Sequence, residues 1–301
     1  MAQAPADAGV HLAMPAQNVV LGIGLLVVAM TVIPVMDGLA KLLSANYPVL
    51  QITWARYTFH LATMLPVLLW RHGVRTLVPP KAGLQLLRGA CILASTLLFF
   101  AGLARMPLAN TLALAFISPF VVTALSPWLL GERVGPRRWA AVGCGFLGAL
   151  IVFRPGFGDF GWEGLLPMGA GVGYACYLIL TRRLAGAGPA LVTLAYSGLV
   201  GTVALSLVVP FVWSPPDAAG WSLMVLMGLL AAVGHFLLIR AFELAPASLL
   251  APLGYGEIVG ATAVGYLLFG DFPDRITWIG VTVIVASGLF IVWRERTVRP
   301  A

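Results

Sequence analysis

The chain has 301 residues, of which 60% are hydrophobic and only 10% are charged, and its mean hydropathy is +0.96. A soluble domain carries about 25% charged residues, so this composition excludes one or two soluble domains. The net charge of +7 does not indicate a nucleic-acid-binding protein, because the basic residues lie between apolar segments rather than on one face. Such an excess is typical of the cytoplasmic loops of membrane proteins.

Apolar segments recur along the chain, and each is close to the roughly 20 residues that a helix needs to cross a bilayer. The apolar residues are continuous rather than alternating, so the pattern predicts helices and not barrel strands. Turn-forming sequences such as SANYP and GDFPD separate the segments. The fold class is therefore all-α integral membrane. Ten transmembrane helices are predicted at 18–43, 48–71, 82–104, 108–130, 136–154, 162–183, 189–212, 219–243, 247–269 and 275–293.

The segments outside these helices are short. Residues 1–17 contain no lysine or arginine, so they lack the basic region of a signal peptide and are expected to form a flexible tail. Residues 294–301 are expected to form a basic tail. The cysteines have the spacing of neither a metal site nor a disulfide framework, and no cofactor is expected. They are interpreted as small packing residues: Cys91, Cys144 and Cys176.

The distribution of basic residues predicts the orientation. Ten crossings place both termini on one side of the membrane. The loops on that side and the C-terminal tail carry most of the charge: Arg71, Arg75, Lys81, Arg133, Arg137, Arg138, Arg182, Arg183, Arg240, Arg294, Arg296 and Arg299. The opposite loops carry Lys41, Arg105, Arg154 and Arg275. Basic loops are retained in the cytoplasm, so both termini are expected to be cytoplasmic.

The sequence also contains an internal repeat. The stretch LLGERVGPRRW, from residue 129, returns as LFGDFPDRITW from residue 268, with Trp139 matched to Trp278. Two repeats of five helices are therefore predicted, at 18–154 and 162–293. Five is an odd number, so the second repeat crosses in the opposite sense, and its copy of the loop loses arginines because it faces outside. Inverted repeats are common in secondary transporters, which bind substrate near the midplane between them.

These features resemble the ten-helix, EamA-type members of the drug/metabolite transporter superfamily, over residues 18–293. Such proteins carry, in each half, a proline-led fourth helix, an EP pair within it, a closing GE and then Trp and Gly. The first half has Pro107, Ser118-Pro119, Gly131-Glu132, Trp139 and Gly143. The second has Pro246, Glu257-Ile258, Gly270-Asp271, Trp278 and Gly280. The EP pair is thus divided, with Pro kept in one half and Glu in the other.

The resemblance implies a multi-pass transporter of small organic solutes in a bacterial inner membrane. Members commonly move amino acids outward, whereas some related proteins import riboflavin-like or S-adenosylmethionine-like compounds. The implied partners are a small-molecule substrate and the lipid bilayer, without nucleic acid. The sequence does not indicate an oligomeric state.

Charged side chains inside apolar helices cost about 2.5–3.5 kcal/mol each at a helix centre, so they are the main candidates for a substrate site. Asp37 and Arg56 lie at similar depths in the first two predicted helices. We expect them to form a pair that faces the interior and either binds a zwitterion or only holds the two helices together. His60 continues the polar stripe of Arg56 at helical spacing.

His235 and Glu257 lie at similar depths in the eighth and ninth helices and form the second candidate. Histidine titrates near neutral pH and can carry protons, but these groups can equally be structural hydrogen-bonding partners. Aromatic rings with a polar group are predicted to line the site: Trp54, Tyr57, Tyr174, Tyr177 and Tyr255. Prolines bend helices, and the hinge candidates are Pro34, Pro119 and Pro252.

The leading hypothesis is a secondary transporter that moves small organic metabolites, amino acids outward first among them, by alternating access. Import of riboflavin-like or S-adenosylmethionine-like metabolites is the alternative. An intramembrane enzyme is disfavoured, because the chain has no DDxxD or HExxH motif and its histidines are dispersed. A channel is the third hypothesis, and saturable flux with counter-exchange separates a carrier from an open pore.

Overall fold

The computed structural model describes residues 18–73, 81–132, 134–154, 161–184, 190–246, 249–250 and 253–298. The predicted tail at 1–17, the hinge candidate Pro252 and the basic residues Arg75, Arg133 and Arg299 lie outside these ranges. The described residues form helices and no β-strand. The helices are α1 (Val19–Leu43), α2 (Val49–His72), α3 (Ala82–Leu103), α4 (Leu108–Ala115), α5 (Ser118–Leu129), α6 (Pro136–Phe153), α7 (Leu165–Arg183), α8 (Ala190–Val208), α9 (Ala218–Leu244), α10 (Gly256–Phe269) and α11 (Arg275–Val298).

Seven helical segments in the described part of the chain are long and apolar enough to cross a membrane. They are α1, α3, α4 with α5, α7, α8, α9 and α11, where α7 and α8 are counted with the 3-10 turns Gly161–Gly164 and Val209–Val212. The helices α2, α6 and the 14-residue α10 fall outside this set. The protein is therefore an all-helical membrane protein, and the figure of ten crossings stays a prediction.

Side-chain caps and glycines set several helix ends. Asn18 accepts a hydrogen bond from the Leu21 amide (3.1 Å) and Asp217 from the Gly220 amide (2.7 Å), which begin α1 and α9. Such caps satisfy amides that have no partner inside the helix. Gly270 ends α10 with φ +72°, a left-handed conformation that favours glycine. The last helix, α11, continues to Val298 and is therefore longer than the helix predicted at 275–293.

Two predicted helices are interrupted near the middle. The fourth predicted helix, 108–130, breaks at residues 116–117, and the ninth, 247–269, turns at residues 254–255. Pro119 explains the first break, because proline has no amide hydrogen to donate to the carbonyl of Ala115. The two breaks fall at matching positions of the two repeats, which the periodicity of the sequence did not show.

Most contacts between two helices have a counterpart in which each helix is replaced by the equivalent helix of the other repeat. α1 packs on α9 as α7 packs on α3, and α2 packs on α9 as α8 packs on α3. α1 contacts α10 as α7 contacts α4 and α5. The pairs α2–α8 and α6–α11 each join matching helices of the two repeats. Pairwise exchange of this kind is the packing expected of a duplicated chain.

The contacts divide the central helices into two groups. We call α1, α2, α9 and α10 the Asp37 bundle, and α3, α4, α5, α7 and α8 the Arg88 bundle. Each bundle takes helices from both repeats, whereas α6 and α11 pack together at the periphery. One continuous apolar core joins all three parts and includes the fully buried side chains of Phe120, Met224 and Ile284. The bodies that face each other are therefore not the two sequence repeats.

Gly148 of α6 and Gly280 of α11 allow the peripheral pair to pack backbone against backbone. A Cβ atom at Gly280 would lie 2.8 Å from the carbonyl oxygen of Gly148 and 2.6 Å from the side chain of Val152. Small residues permit such close approach in membranes, where helix association depends on packing rather than on the hydrophobic effect.

We expect Gly280→Ala to destabilise the protein by about 1–3 kcal/mol, because the added methyl group overpacks this contact. The matched control is Gly143→Ala on α6, where nothing lies within 4 Å of an added Cβ atom. Thermal unfolding of both purified variants in the same detergent measures the difference. An equal melting temperature for the two variants would contradict the packing described.

Candidate functional site

A cavity of about 620 Å³ lies between the Asp37 bundle and the Arg88 bundle. Its lining comes from every helix of both bundles, and none of the described lining residues belongs to α6 or α11. The Asp37 bundle contributes Asp37, Arg56, Tyr57, His60, His235 and Glu257. The Arg88 bundle contributes the polar side chains Arg88, Ser95, Thr96, Ser118, Tyr174, Tyr177, Thr181, Thr193 and Ser197. Both bundles thus contribute polar groups to the cavity, and only the Asp37 bundle contributes carboxyl groups among the described lining residues.

Asp37 and Arg56 both line this cavity, but no ion pair within 4.0 Å joins them. Arg56 instead points across to α3, where it donates to the Thr96 hydroxyl at 3.3 Å and lies 5.8 Å from the centroid of the Phe100 ring. Asp37 is 5% exposed and accepts no hydrogen bond from any residue in the described ranges. The expected direct pair is therefore wrong in its geometry, although both charges face the interior.

Glu257 adds a second carboxylate on the same side of the cavity. It lines the same cavity as Asp37 and Arg56. Two carboxylates near one arginine give the Asp37 bundle an acidic face when both are ionised. Such a face suits a cationic group of a ligand.

The two cavity histidines lie against each other. The rings of His60 and His235 meet edge to face, with centroids 5.7 Å apart. His235 Nδ1 lies 2.8 Å from the Ala231 carbonyl oxygen, so this nitrogen carries a hydrogen and donates it. The sequence placed His235 beside Glu257 by depth alone. The structure instead places His60 beside His235, because α2 packs on α9.

Arg88 is the residue that the sequence analysis left out of the site. Its side chain is buried and contacts α7 and α8, with Nε donating to the Thr181 hydroxyl at 2.7 Å and Nη1 to the Thr193 carbonyl at 2.8 Å. Nη2 donates to the Tyr177 hydroxyl at 2.7 Å. The available signal was the same as for Arg56, namely an arginine inside an apolar helix.

The aromatic candidates divide into two sets. Tyr57, Tyr174 and Tyr177 line the cavity. Trp54 and Tyr255 are not among the described lining residues: Trp54 donates to the Ser206 hydroxyl at 2.9 Å, between α2 and α8. The Tyr255 hydroxyl lies against Gly288 of α11.

The hinge candidates also differ from one another. Pro34 is buried inside the uninterrupted helix α1. Pro119 follows the break between α4 and α5. The two breaks lie next to each other, because the Phe116 and Tyr255 rings are 5.1 Å apart. Ser118 and Glu257, which follow the breaks, both reach the cavity.

Polar contacts close one end of the assembly, which we call the Lys41 end. Lys41 forms a 2.7 Å ion pair with Asp271 and donates to the Met106 carbonyl oxygen at 3.0 Å, which joins α1 to the loop before α4. Gln51 exchanges two hydrogen bonds with the backbone of Ser214, at 2.8 and 2.9 Å. The Lys41–Met106 contact connects the two bundles at this end, and Gln51 holds α2 to the segment between α8 and α9.

At the opposite end, which we call the Glu132 end, Arg182 pairs with Glu132 at 3.0 Å. The cavity lining reaches Thr181 and Leu184 at this end of α7. The nearest lining residues to the Lys41 end, Phe100 and Leu112, lie about one helical turn inside α3 and α4. The cavity is therefore displaced toward the Glu132 end.

Asp274 fixes the beginning of α11 at the Lys41 end. It accepts a hydrogen bond from the Thr277 amide at 2.8 Å and pairs with Arg154 through both carboxylate oxygens, at 2.8 and 3.1 Å. Hydrogen bonds from the Thr277 side chain and from Arg154 lower the pKa of Asp274 to about 2. Its ionised form therefore contributes stability that is complete above its ordinary pKa of 3.8 and is lost as pH falls to about 2.

We expect Asp274→Asn to lower the stability by less than about 1 kcal/mol at pH 7, because the pair with Arg154 is partly exposed. The difference from wild type should shrink as pH falls from 4 towards 2, where the wild-type carboxylate loses its charge. Thermal unfolding across this pH range measures it, with Glu243→Gln as the control for an exposed acid. A difference that does not depend on pH would contradict the assignment.

Comparison with known proteins agrees with this architecture. The model of the EamA-like transporter family matches residues 20–154 and again 161–293. A riboflavin transporter of Rhizobium johnstonii is 33% identical over 67% of this chain and 68% of its own. An S-adenosylmethionine uptake transporter of Rickettsia felis is 26% identical over 91% and 93%.

A pseudopaline exporter of Pseudomonas aeruginosa is 28% identical over 88% of this chain and 94% of its own. A solved crystal structure matches 91% of this chain and 99% of its own with a TM-score of 0.63 at 20% identity, which shows a shared fold alone. The two-part family match covers both sets of helices whose contacts exchange in pairs. The chain is a multi-pass membrane protein that belongs to the EamA-like transporter family.

Proposed function

We propose that the protein is a secondary transporter of small organic metabolites in a bacterial inner membrane, and that it works by alternating access. The observation that carries the proposal is the cavity between the Asp37 and Arg88 bundles, with buried charges on both sides and a polar closure at the Lys41 end. Buried charges inside a membrane mark substrate and ion pathways, because they are costly there.

Ten crossings in two inverted repeats, at 18–154 and 162–293, complete this proposal. The contacts between helix ends support the alternation. Lys41, Met106 and Asp271 meet at one end, whereas Glu132 and Arg182 meet at the other. When the chain crosses the membrane at every predicted helix, Lys41, Met106 and Asp271 lie on one side of the membrane and Glu132 and Arg182 on the other. Because each repeat then has five crossings, the second repeat is inverted.

We assign the Lys41 end to the outside and the Glu132 end to the cytoplasm. The Glu132 end carries most of the loop arginines, and basic loops are retained in the cytoplasm. Both termini are cytoplasmic on this assignment. The cavity reaches Thr181 and Leu184, so on this assignment it lies nearer the cytoplasm. This position supports an inward-facing conformation that Lys41 and its partners close on the outer side.

The size of the cavity bears on the substrate. Pockets of about 300–1,000 Å³ hold drug-sized ligands, and 620 Å³ is more than one amino acid needs. The volume and the tyrosine rings favour a metabolite with a planar ring, in the size class of the riboflavin and S-adenosylmethionine named for the relatives. Export of amino acids is the second candidate, because acidic and basic groups in one cavity suit a zwitterion.

Reconstitution into liposomes tests the proposed function. Purified protein is screened for ligand-induced thermal stabilisation, and each stabilising compound is then followed by counterflow. Saturable flux with counter-exchange and no chemical change of the compound supports a carrier. Linear flux with single-channel steps would show a channel, and conversion of the compound would show an enzyme. Flux is measured with the compound placed inside or outside the liposomes, which gives the direction of transport. The same measurements with and without a pH gradient show whether transport is coupled to protons.

A further inference from the structure

The buried arginine of the Arg88 bundle has no acidic partner. Arg88 is 3% exposed, and no carboxylate of a described residue lies within 4.0 Å of its guanidinium group. Neutral groups surround it instead: Thr181, the Thr193 carbonyl, Ser197 and Tyr177. A positive charge within a membrane-spanning bundle is costly unless it is paired. The missing partner is therefore expected to be an anion that arrives with the ligand.

Two hydrogen-bond donors remain beside this charge. A guanidinium group has five N–H donors, and the described contacts use one on Nε, two on Nη1 and one on Nη2. The second N–H of Nη2 has no acceptor among the described residues. The Tyr177 hydroxyl accepts from Arg88 and keeps its own hydrogen to donate. Arg88 and Tyr177 both line the cavity, so two adjacent donors are available to one anionic group.

An aromatic surface lies next to these donors. The Tyr174 and Tyr177 rings are stacked, with centroids 5.6 Å apart and an angle of 22° between their planes. The Arg88 guanidinium lies 4.4 Å from the centroid of the Tyr177 ring. Tyr174 is 38% exposed although it lines the cavity, so much of its ring is free to contact a ligand. A planar ring of the ligand can stack there while an anionic group a few atoms away reaches Arg88.

We propose that Arg88 and Tyr177 bind the carboxylate or phosphate group of the transported metabolite, and that Tyr174 stacks on its planar ring. This inference rests on the proposed function and names its substrate class, an organic anion with a planar ring. The Asp37 bundle, on the opposite wall, supplies the acidic face for any cationic group of the same ligand.

Matched ligands test the anion site on the unaltered protein in lipid nanodiscs. One pair is riboflavin and flavin mononucleotide, which adds a phosphate group to the same ring. The other is indole-3-propionamide and indole-3-propionate, which exchanges a neutral amide for a carboxylate. At least one anion should bind about tenfold tighter than its neutral partner, because the charge-assisted hydrogen bond is lost in the latter. The pair that shows the preference identifies phosphate or carboxylate as the source.

Variants locate the preference. Arg88→Gln should reduce the difference within the pair to less than threefold, whereas Arg105→Gln, an exposed arginine after the same helix, should preserve it. Tyr177→Phe keeps the ring and removes the hydroxyl donor, so it should reduce the preference in part. It also serves as the test if Arg88→Gln does not fold. Tyr174→Leu should weaken both members of a pair equally, with Tyr266→Leu as the control outside the cavity.

Equal affinity within both pairs, or failure of all four compounds to bind the unaltered protein, would overturn the proposal. An anion preference that survives both Arg88→Gln and Tyr177→Phe would also overturn it. That result would mean that Arg88 has a purely structural role, in which its replacement lowers thermal stability without changing ligand selectivity. Counterflow distinguishes a failure of the proposed anion site from a failure of the proposed transport function. A protein that exchanges any metabolite across liposomes while showing no anion preference remains a transporter and loses only the Arg88 site.

Discussion

Asp37→Asn is expected to lower the transport rate by about 10- to 100-fold while the protein still folds. The change keeps the size of the side chain and replaces an ionisable carboxyl group that faces the cavity with a neutral amide. A hydrogen bond to a charged group contributes about 1.5–3 kcal/mol, and each 1.4 kcal/mol is about a factor of ten. Initial rates of counterflow in liposomes, at equal amounts of folded protein by size-exclusion chromatography, measure the effect.

Asp217→Asn is the matched control for this variant. Asp217 is an acid that caps α9 outside the cavity, and asparagine can accept the same hydrogen bond from Gly220. Its transport rate should stay within twofold of wild type. Arg56→Ala should impair transport as Asp37→Asn does, since both charges line the cavity. Unchanged uptake in both Asp37→Asn and Arg56→Ala would remove these charges from the mechanism.

Cross-linking Lys41→Cys to Arg105→Cys is expected to stop transport completely and reversibly. Lys41 on α1 contacts the carbonyl oxygen of Met106 between α3 and α4, and Arg105, which precedes Met106, is exposed. A covalent link there holds the two bundles together at the Lys41 end. Alternating access requires that end to open. A short bifunctional thiol reagent is applied to a background without Cys91, Cys144 and Cys176, and counterflow is measured before and after reduction.

The control pair for the cross-link is Arg240→Cys with Glu243→Cys. These residues lie within one turn of α9 and form an exposed ion pair, so a link between them restrains no motion between bundles. The same reagent should leave its transport rate unchanged. Full activity of the linked Lys41–Arg105 pair would contradict opening at this end and, with it, the alternating-access mechanism.

The depth of the charged residues could be predicted from the sequence. Counting along the first two helices placed Asp37 and Arg56 at a similar level, and both reach the cavity. The count could not supply their partners, because rotation about the helix axis and the choice of neighbouring helix decide those. Arg56 turns toward Thr96 and Phe100 on α3, and His60 rather than Glu257 lies beside His235.

Arg88 shows the same limit more sharply. Sequence periodicity places Arg88 on a polar stripe of α3, because Gln85, Arg88 and Ser95 lie at i, i+3 and i+10. It does not show which helices this stripe faces. The partners of Arg88 come from residues far along the chain, on α7 and α8. Only the packing of three helices brings Thr181, Thr193 and Tyr177 around one guanidinium group.

The sequence by itself determined the environment and the duplication: long apolar segments require a bilayer, and the returning motif with its changed charge indicates two related halves. The tertiary structure alone decided that the two bodies facing the cavity mix helices of both halves. The physical reason is that lipid is as apolar as the helix surfaces, so the hydrophobic effect does not decide which helices associate in the bilayer. Small residues, helix breaks and buried polar contacts therefore select the neighbours, and these act between positions that sequence periodicity does not connect.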